Sequence, residues 1–348
     1  MPVRVAIKIL AFLFAICANL ARSSEPNIDC CGAVRDCCLK DDGCLAQSRC
    51  PEWFNPLSFA SQLDGWYVEA DVLALGRTNG RNRSLVVASD SGQPVLGTND
   101  LDLGFQLGPR LLVGNRTGSD RGWELTYFGW HTWTAIAARE DENNLDIPGT
   151  MVGVAEDFTA ADRMDIGYST QLHNVEFNLV RDRETWSTLA GLRYLRLADE
   201  LTLSSRDSDS GTSDYTVQSQ SDLIGGQLGL RTERFLDRWS WQLTMKAGLY
   251  GSFLAQEQLW LDSGNTFILR NALAQSGSVA FVGDIGIVAR YQLNDVWALR
   301  GGYFAMLVAG VANAPDQLDF DNLATSGQSV SGGDLFLHGA SLGLEARW

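Results

Sequence analysis

The residues of this 348-residue chain with most chemistry to offer are seven cysteines, three histidines and a set of cations that is almost all arginine. Six of the cysteines, Cys30, Cys31, Cys37, Cys38, Cys44 and Cys50, crowd into twenty-one positions, and none occurs in the nearly 300 residues that follow. In an oxidising compartment such an even cluster reads as disulfides or as cross-links to neighbouring proteins, with the pairing open. The cluster contains neither a C-x-x-C spacing nor a histidine, so no metal is expected there. The three histidines, His131, His173 and His338, join no Gly-x-Ser-x-Gly elbow, no His-Glu-x-x-His and no phosphate-cradling loop. No catalytic residue and no cofactor is expected, and the chain reads as a non-enzyme.

Those residues need a compartment and a scaffold. Arg4 and Lys8 precede an apolar run over 9–18, with small residues at Ala18, Ala21 and Ser23. The run is too short to span a bilayer and has the form of a secretory signal, taken as residues 1–22. Ile16 stands where a lipobox before Cys17 requires a small residue, so no lipid anchor is expected. No later run is long and apolar enough for a transmembrane helix. The chain has 27 basic against 42 acidic residues, a formal net charge of -15, with no basic run. That excludes nucleic acid as a partner.

From Trp66 the dominant signal is period-two alternation, the mark of strands with one apolar and one polar face. Ten segments carry it: 66–75, 101–113, 123–135, 164–179, 186–197, 223–235, 239–253, 279–291, 297–308 and 335–348. The clearest is 239–253, where Trp239, Trp241, Leu243, Met245, Ala247, Leu249 and Phe253 oppose Ser240, Gln242, Thr244 and Lys246. Segment 164–179 shows a change of phase near 172–175, read as a bulge or a misread boundary. Segments this long suit strands tilted across a membrane.

Connections alternate between short (114–122, 180–185, 236–238, 292–296) and long (76–100, 136–163, 198–222, 254–278, 309–334), the long ones rich in Asp, Ser, Gly and Asn. This predicts a transmembrane, antiparallel, up-and-down β-barrel of about ten strands, with short periplasmic turns and long extracellular loops. Twelve strands are possible if 136–163 holds a further hairpin. At the ends expected to face the periplasm stand Trp66, Trp123, Trp186, Trp239, Trp297 and Trp348, with Phe177, Phe235 and Tyr291, as membrane-interface aromatics. The chain stops on an alternating strand ending in Trp348, the form read by the outer-membrane assembly machinery. Outer-membrane lipid and that machinery are the expected partners, and the Cys-rich segment and linker 23–64 could add other envelope proteins.

The stretches Gly65-Trp66-Tyr67-Val68-Glu69-Ala70-Asp71, Leu103-Gly104-Phe105-Gln106-Leu107-Gly108-Pro109-Arg110, Trp123-Glu124-Leu125-Thr126-Tyr127-Phe128-Gly129 and Leu189-Ala190-Gly191-Leu192-Arg193-Tyr194-Leu195 with Glu200 resemble the beta-barrel porin family of planctomycetes. The resemblance covers about 65–348. It implies an all-β outer-membrane barrel, and its motifs mark strand ends rather than chemistry.

On the polar faces lie Glu69, Asp71, Arg110, Glu124, Arg193, Arg231, Lys246, Asp284, Arg290, Arg300, Glu345 and Arg347, together with Glu233. Such a mixture of signs lines a thin channel for ions or small solutes, or pairs across the lumen and blocks it. The expected function is a small porin, the alternative a non-conducting structural, anchoring or adhesive barrel. Acidic groups such as Glu140-Asp141-Glu142, Asp207, Asp209, Asp316, Asp319 and Asp321 are assigned to the long loops. His131 shares alternation with Trp123, Leu125, Tyr127 and Trp133 and is expected to face lipid or the upper interface, as is His338, beside Phe336, Ala340 and Leu342.

Overall fold

Alternation over more than ten residues creates strands too apolar on one face to stay in water and too polar on the other to enter lipid. Closing them into a tube satisfies both faces and leaves no free sheet edge. The computed structural model describes residues 65–78, 81–117, 120–183, 185–207 and 211–348. Residues 1–22, expected to be a signal sequence, the segment 23–64 with its six cysteines, and Asp209 lie outside them.

The strands are β1 (Gly65–Arg77), β2 (Ser84–Ala88), β3 (Pro94–Gly97), β4 (Phe105–Thr117), β5 (Arg121–Asp146), β6 (Ala161–Asp182), β7 (Ser187–Asp207), β8 (Gly211–Leu236), β9 (Trp239–Asp262), β10 (Phe267–Gln292), β11 (Trp297–Val311) and β12 (Gly333–Arg347). One short helix, α1 (Ala314–Gln317), precedes β12. Ten of them form a closed antiparallel barrel in the order β5-β4-β1-β12-β11-β10-β9-β8-β7-β6, with β6 pairing back onto β5. The two extra strands, β2 and β3, form a hairpin that extends the sheet from the far end of β5.

The register fixes the geometry. Followed once around from Arg77, it passes through Leu337, Met306, Asp284, Lys246, Gly229, Leu189, Val180, Gly122 and Arg116 and returns to Gly65, twelve residues lower on β1. A shear of twelve over ten strands tilts them by about 40°.

Outward on the half nearest the short turns stand Trp66, Val72, Leu111, Leu228, Leu249 and Leu342, each between 45 and 70% exposed. At the turn end of this face lie Trp66, Trp186, Trp239, Trp297 and Trp348, with Trp123 packed between Trp66 (5.6 Å) and Phe177 (6.3 Å). At its upper limit are Phe105, Trp130, Tyr194, Phe253, Tyr303 and His338. Between these aromatic rings runs a continuous apolar belt about 25 Å tall, the height that outer-membrane barrels present to lipid.

Several expectations are corrected. Residues 198–222 and 254–278 are not long loops. They are largely strand: β7 runs on to Asp207, which pairs with Gly211 at the start of β8, and β9 and β10 meet at a tight turn after Asp262, so β8 and β10 run to 26 residues. At about 2.5 Å of height per tilted residue, such strands rise about 65 Å, more than twice the lipid belt. The extra hairpin comes from 76–100, and 136–163 instead extends β5 and β6, leaving a connection over 147–160. Glu140, Asp141 and Glu142 consequently lie on β5, and Asp207 at the end of β7, rather than in loops.

Segment 164–179 has no bulge. Even-numbered side chains of β6 point inward throughout, from Met164, Ile166 and Leu172 to Asn174, Glu176 and Asn178. The chemistry changes, not the phase: above the lipid the inner face is apolar and the outer face polar, and within the lipid the two exchange. The real irregularity lies opposite, on β5, where the pairing skips from Gly129 to His131. Trp130 adopts a φ of 59° there and is turned out, 70% exposed, as in a β-bulge. The bulge inverts the parity that follows, so His131 and Trp133 are fully buried inside the barrel rather than facing lipid.

Candidate functional site

All twelve predicted lumen charges, Glu69, Asp71, Arg110, Glu124, Arg193, Arg231, Lys246, Asp284, Arg290, Arg300, Glu345 and Arg347, occupy the inward positions of their strands. They gather into three contiguous ionic clusters at the level of the lipid belt. On the β1 and β10–β12 wall, Arg300 pairs with Glu69 and, through Nε, with Asp71 at 3.3 Å. Arg290 beside it reaches Glu345 (2.7 Å), Glu233 (2.5 Å) and the side-chain oxygen Oε1 of Gln242 (2.5 Å). Arg347 pairs with Glu345, and Arg110 lies 3.8 Å from Asp71. Gly343 matters here, because a Cβ on it would overlap the Ala70 carbonyl and the Asp71 carboxylate.

The second cluster crosses the lumen. Glu124 on β5 accepts two hydrogen bonds from Arg231 on β8, at 2.5 and 2.8 Å, in the bidentate geometry that makes such pairs strong. It also accepts the Tyr67 hydroxyl at 2.6 Å, and Arg116 approaches to 3.4 Å. The third cluster surrounds Glu176, whose carboxylate accepts from Arg193 (2.8 Å), Lys246 (2.5 Å), Asn174 (3.0 Å), Gln227 (2.9 Å) and Asn178 (3.4 Å). Arg193 donates also to Asp284, which lies 3.5 Å from Lys246. Desolvating these charges is costly, and only this mutual pairing makes the arrangement tolerable.

Above the ionic level the lumen is packed with apolar side chains. Leu73, Leu75, Leu195, Leu197, Leu201, Leu203, Val217 and Val282 belong to one buried cluster. Higher still, Tyr215 stacks on Trp260 with ring centres 4.3 Å apart, and Phe158 meets Trp260 edge-on at 5.6 Å. A buried polar bridge, Arg77 to Asp199 at 2.9 and 3.0 Å with the Tyr168 hydroxyl on the same carboxylate at 2.8 Å, is embedded in this level.

Two connections then fold into the mouth. Residues 147–160 enter beneath the β9–β10 turn, and the Asp262 carboxylate accepts the amides of Glu156 and Asp157, both at 3.0 Å. Residues 312–332, with α1, are held by Gln258 donating to the Gln317 carbonyl (2.6 Å) and Gln256 donating to those of Gly327 (2.9 Å) and Ser329 (2.7 Å). Asp316 and Asp319 take part in this stopper: Asp316 accepts from Asn313, and Asp319 accepts the amides of Asp321 and Gly327. The ionic level leaves a cavity of about 50 Å³ between Glu69, Arg110, Glu124, Arg231, Lys246 and Asp284, room for a few waters.

Glu176, the centre of the third cluster, escaped sequence reading because the exchange of inner and outer chemistry on β6 looked like a slip of phase. Arg77 and Asp199 escaped because both stood at segment ends or in supposed loops. His173 and His338 point outward and bond Tyr127 (3.0 Å) and Tyr303 (2.7 Å), so the three histidines are not brought together. His131 lies inside, bonded through Nε2 to the Leu73 carbonyl at 3.0 Å and stacked on Trp133.

Closure, shear, apolar belt and paired aromatic girdles define an integral outer-membrane β-barrel, and the lipid in which it sits is that of the outer membrane. No family model matches the chain, and no curated protein matches it. Among solved structures it is similar to the outer membrane protease OmpT of Escherichia coli, with 10% identity, 82% of this chain and 97% of that chain covered, and a TM-score of 0.43. The translocator domain of the autotransporter NalP of Neisseria meningitidis is 12% identical, over 84% of this chain and 92% of that one, with a TM-score of 0.38. The toluene transporter TodX of Pseudomonas putida is 11% identical, over 85% and 71%, with a TM-score of 0.30.

Proposed function

We propose that the protein is a non-conducting outer-membrane barrel, a structural anchor in the envelope rather than a porin. The observation that supports this most directly is that the lumen is filled twice over: by paired charges at the lipid level and by apolar packing with inward-folded connections above it. A conducting path needs a continuous wet column, and the cavity of about 50 Å³ at the ionic level is walled by side chains already committed to one another. The stretches that resemble the planctomycete beta-barrel porins lie in the barrel wall and are compatible with a closed barrel. In this reading the work is done by the outer wall and the ends, and the Cys-rich stretch 23–64 supplies a covalent tie to other envelope proteins. Planar-bilayer recording on purified, refolded protein tests the reading. Silence, with heat-modifiable migration showing an intact barrel, is expected; steady unitary conductance from that same material would establish a channel instead.

A further inference from the structure

The outer wall carries a second organised surface, just above the lipid. The register aligns Gln171, Ala198, Gln220, Ala255 and Gln275 in one row across β6–β10, amide and methyl alternating from strand to strand. One step higher, Glu200, Gln218 and Glu257 form the next row, with Ser169 before them and Leu273 after. Ala198 and Ala255 are short beside their neighbours, and the two rows line an open groove of about 430 Å³. Gln218 donates to Glu200 at 3.0 Å, and Gln220 is held between Arg196 (2.9 Å) and Asp222 (2.5 Å). Gln171, Glu257 and Gln275 have no side-chain hydrogen bond among the described residues.

Three features narrow what fits. The groove is built from planar amides and carboxylates, which grip adjacent hydroxyl groups by donating and accepting together. The exposed charged side chains that line it, Glu200 and Glu257, are acidic, and the one cation at its lower edge, Arg196, stands beside Asp222, which disfavours a bare phosphate or another anion. Its lower row lies directly above the row His173, Arg196, Asp222, Phe253 and Gly277, whose aromatic members mark the upper limit of the lipid-facing belt, so the groove continues the lipid interface into the headgroup layer. We infer that this groove binds the sugar headgroup of the outer-leaflet glycolipid that surrounds the barrel, with Gln171, Gln220, Gln275 and Glu257 as its hydrogen-bonding groups. The inference holds whether or not the lumen conducts.

Native mass spectrometry of the delipidated, folded barrel tests it with two probes, a purified lipooligosaccharide and a phosphatidylglycerol. The wild type is expected to retain the lipooligosaccharide in preference to the phospholipid and to release it to the free oligosaccharide cleaved from that lipid. Filling the groove with Ala198→Trp and Ala255→Trp should weaken retention at least about tenfold, with heat-modifiable migration unchanged. If that pair does not fold, Gln171→Leu with Gln275→Leu should show the same loss at nearly constant volume. Equal retention of both lipids, failure of the free oligosaccharide to compete, or unchanged retention by a folded groove variant would each overturn the assignment.

Discussion

Within one barrel wall, the lipid-embedded half and the half above it are built on opposite plans. On β9, Lys246, Thr244 and Gln242 point into the lumen beside outward Leu249, Leu243 and Trp241. Fewer than twenty residues along the same strand, Trp260 points in beside the outward Glu257. The parity never changes, yet the inner and outer chemistries do. The lower half is organised by solvent exclusion on its outside, where lipid demands an apolar face and leaves the polar face to satisfy itself. The upper half stands in water and folds as a soluble β-protein does, by burying Leu201, Leu203, Tyr215 and Trp260. A strand in such a protein therefore carries a boundary marker in its side chains: the residue where the apolar face changes sides is where the membrane stops.

If the two halves seal the lumen independently, opening one must not open the other. Replacing 147–160 and 312–332 by short glycine–serine linkers removes both inward-folded connections from the mouth, and bilayer recordings should stay silent. Adding Leu75→Ala, Leu195→Ala and Leu197→Ala in the apolar level and the paired deletions Glu176→Ala with Arg193→Ala, Glu69→Ala with Arg300→Ala and Glu124→Ala with Arg231→Ala, which take one ion pair from each cluster, should bring steady unitary conductance. Conductance after the loop replacement alone would show that the ionic level is no seal.

Single substitutions sharpen the contrast further. Glu176→Leu strands Arg193 and Lys246 with only Asp284 to compensate them, at a cost of about 3–5 kcal/mol. Leu201→Ala in the upper half leaves a cavity instead, and should cost about 3 kcal/mol. Urea unfolding of the refolded protein in lipid vesicles measures both. The lower half is less organised by its charges than its contacts indicate if Glu176→Leu proves the milder of the two.

The lower half was the legible one. Alternation from Trp239 to Phe253 assigned both faces of β9 correctly, because lipid on one side and charge on the other give the strongest contrast a strand can show. The upper half was hidden for two reasons. Its outward residues, such as Thr202, Ser204, Thr216 and Gln218, are those of loops, and its inward apolar runs are broken by buried polar residues, Asp199 on β7 and Ser219 and Ser221 on β8. The fate of His131 was equally invisible, since one extra residue at Trp130 reverses every side chain beyond it and nothing in the composition of the stretch announces a bulge. The pairing partners inside the lumen were beyond sequence as well: Glu124 and Arg231 stand 107 residues apart, and only the shear brings them face to face.

The smallest effect is expected at the rim, where charges also pair but in open water. Arg163 near the upper end of β6 bonds Asp165 at 2.7 Å and Glu140, a geometry resembling that around Arg193 below. Its side chain is 37% exposed against 1% for Arg193, so water and salt already do most of what the carboxylates do for it. Arg163→Ala should leave the urea midpoint within measurement error, and raising the salt should change neither protein. The Glu176→Leu loss should by contrast persist at high salt, because the side chains of Glu176 and Arg193 are buried where counter-ions do not reach them. A large, salt-sensitive loss at Arg163 would mean that ionic pairing, rather than burial of that pairing, distinguishes the two halves.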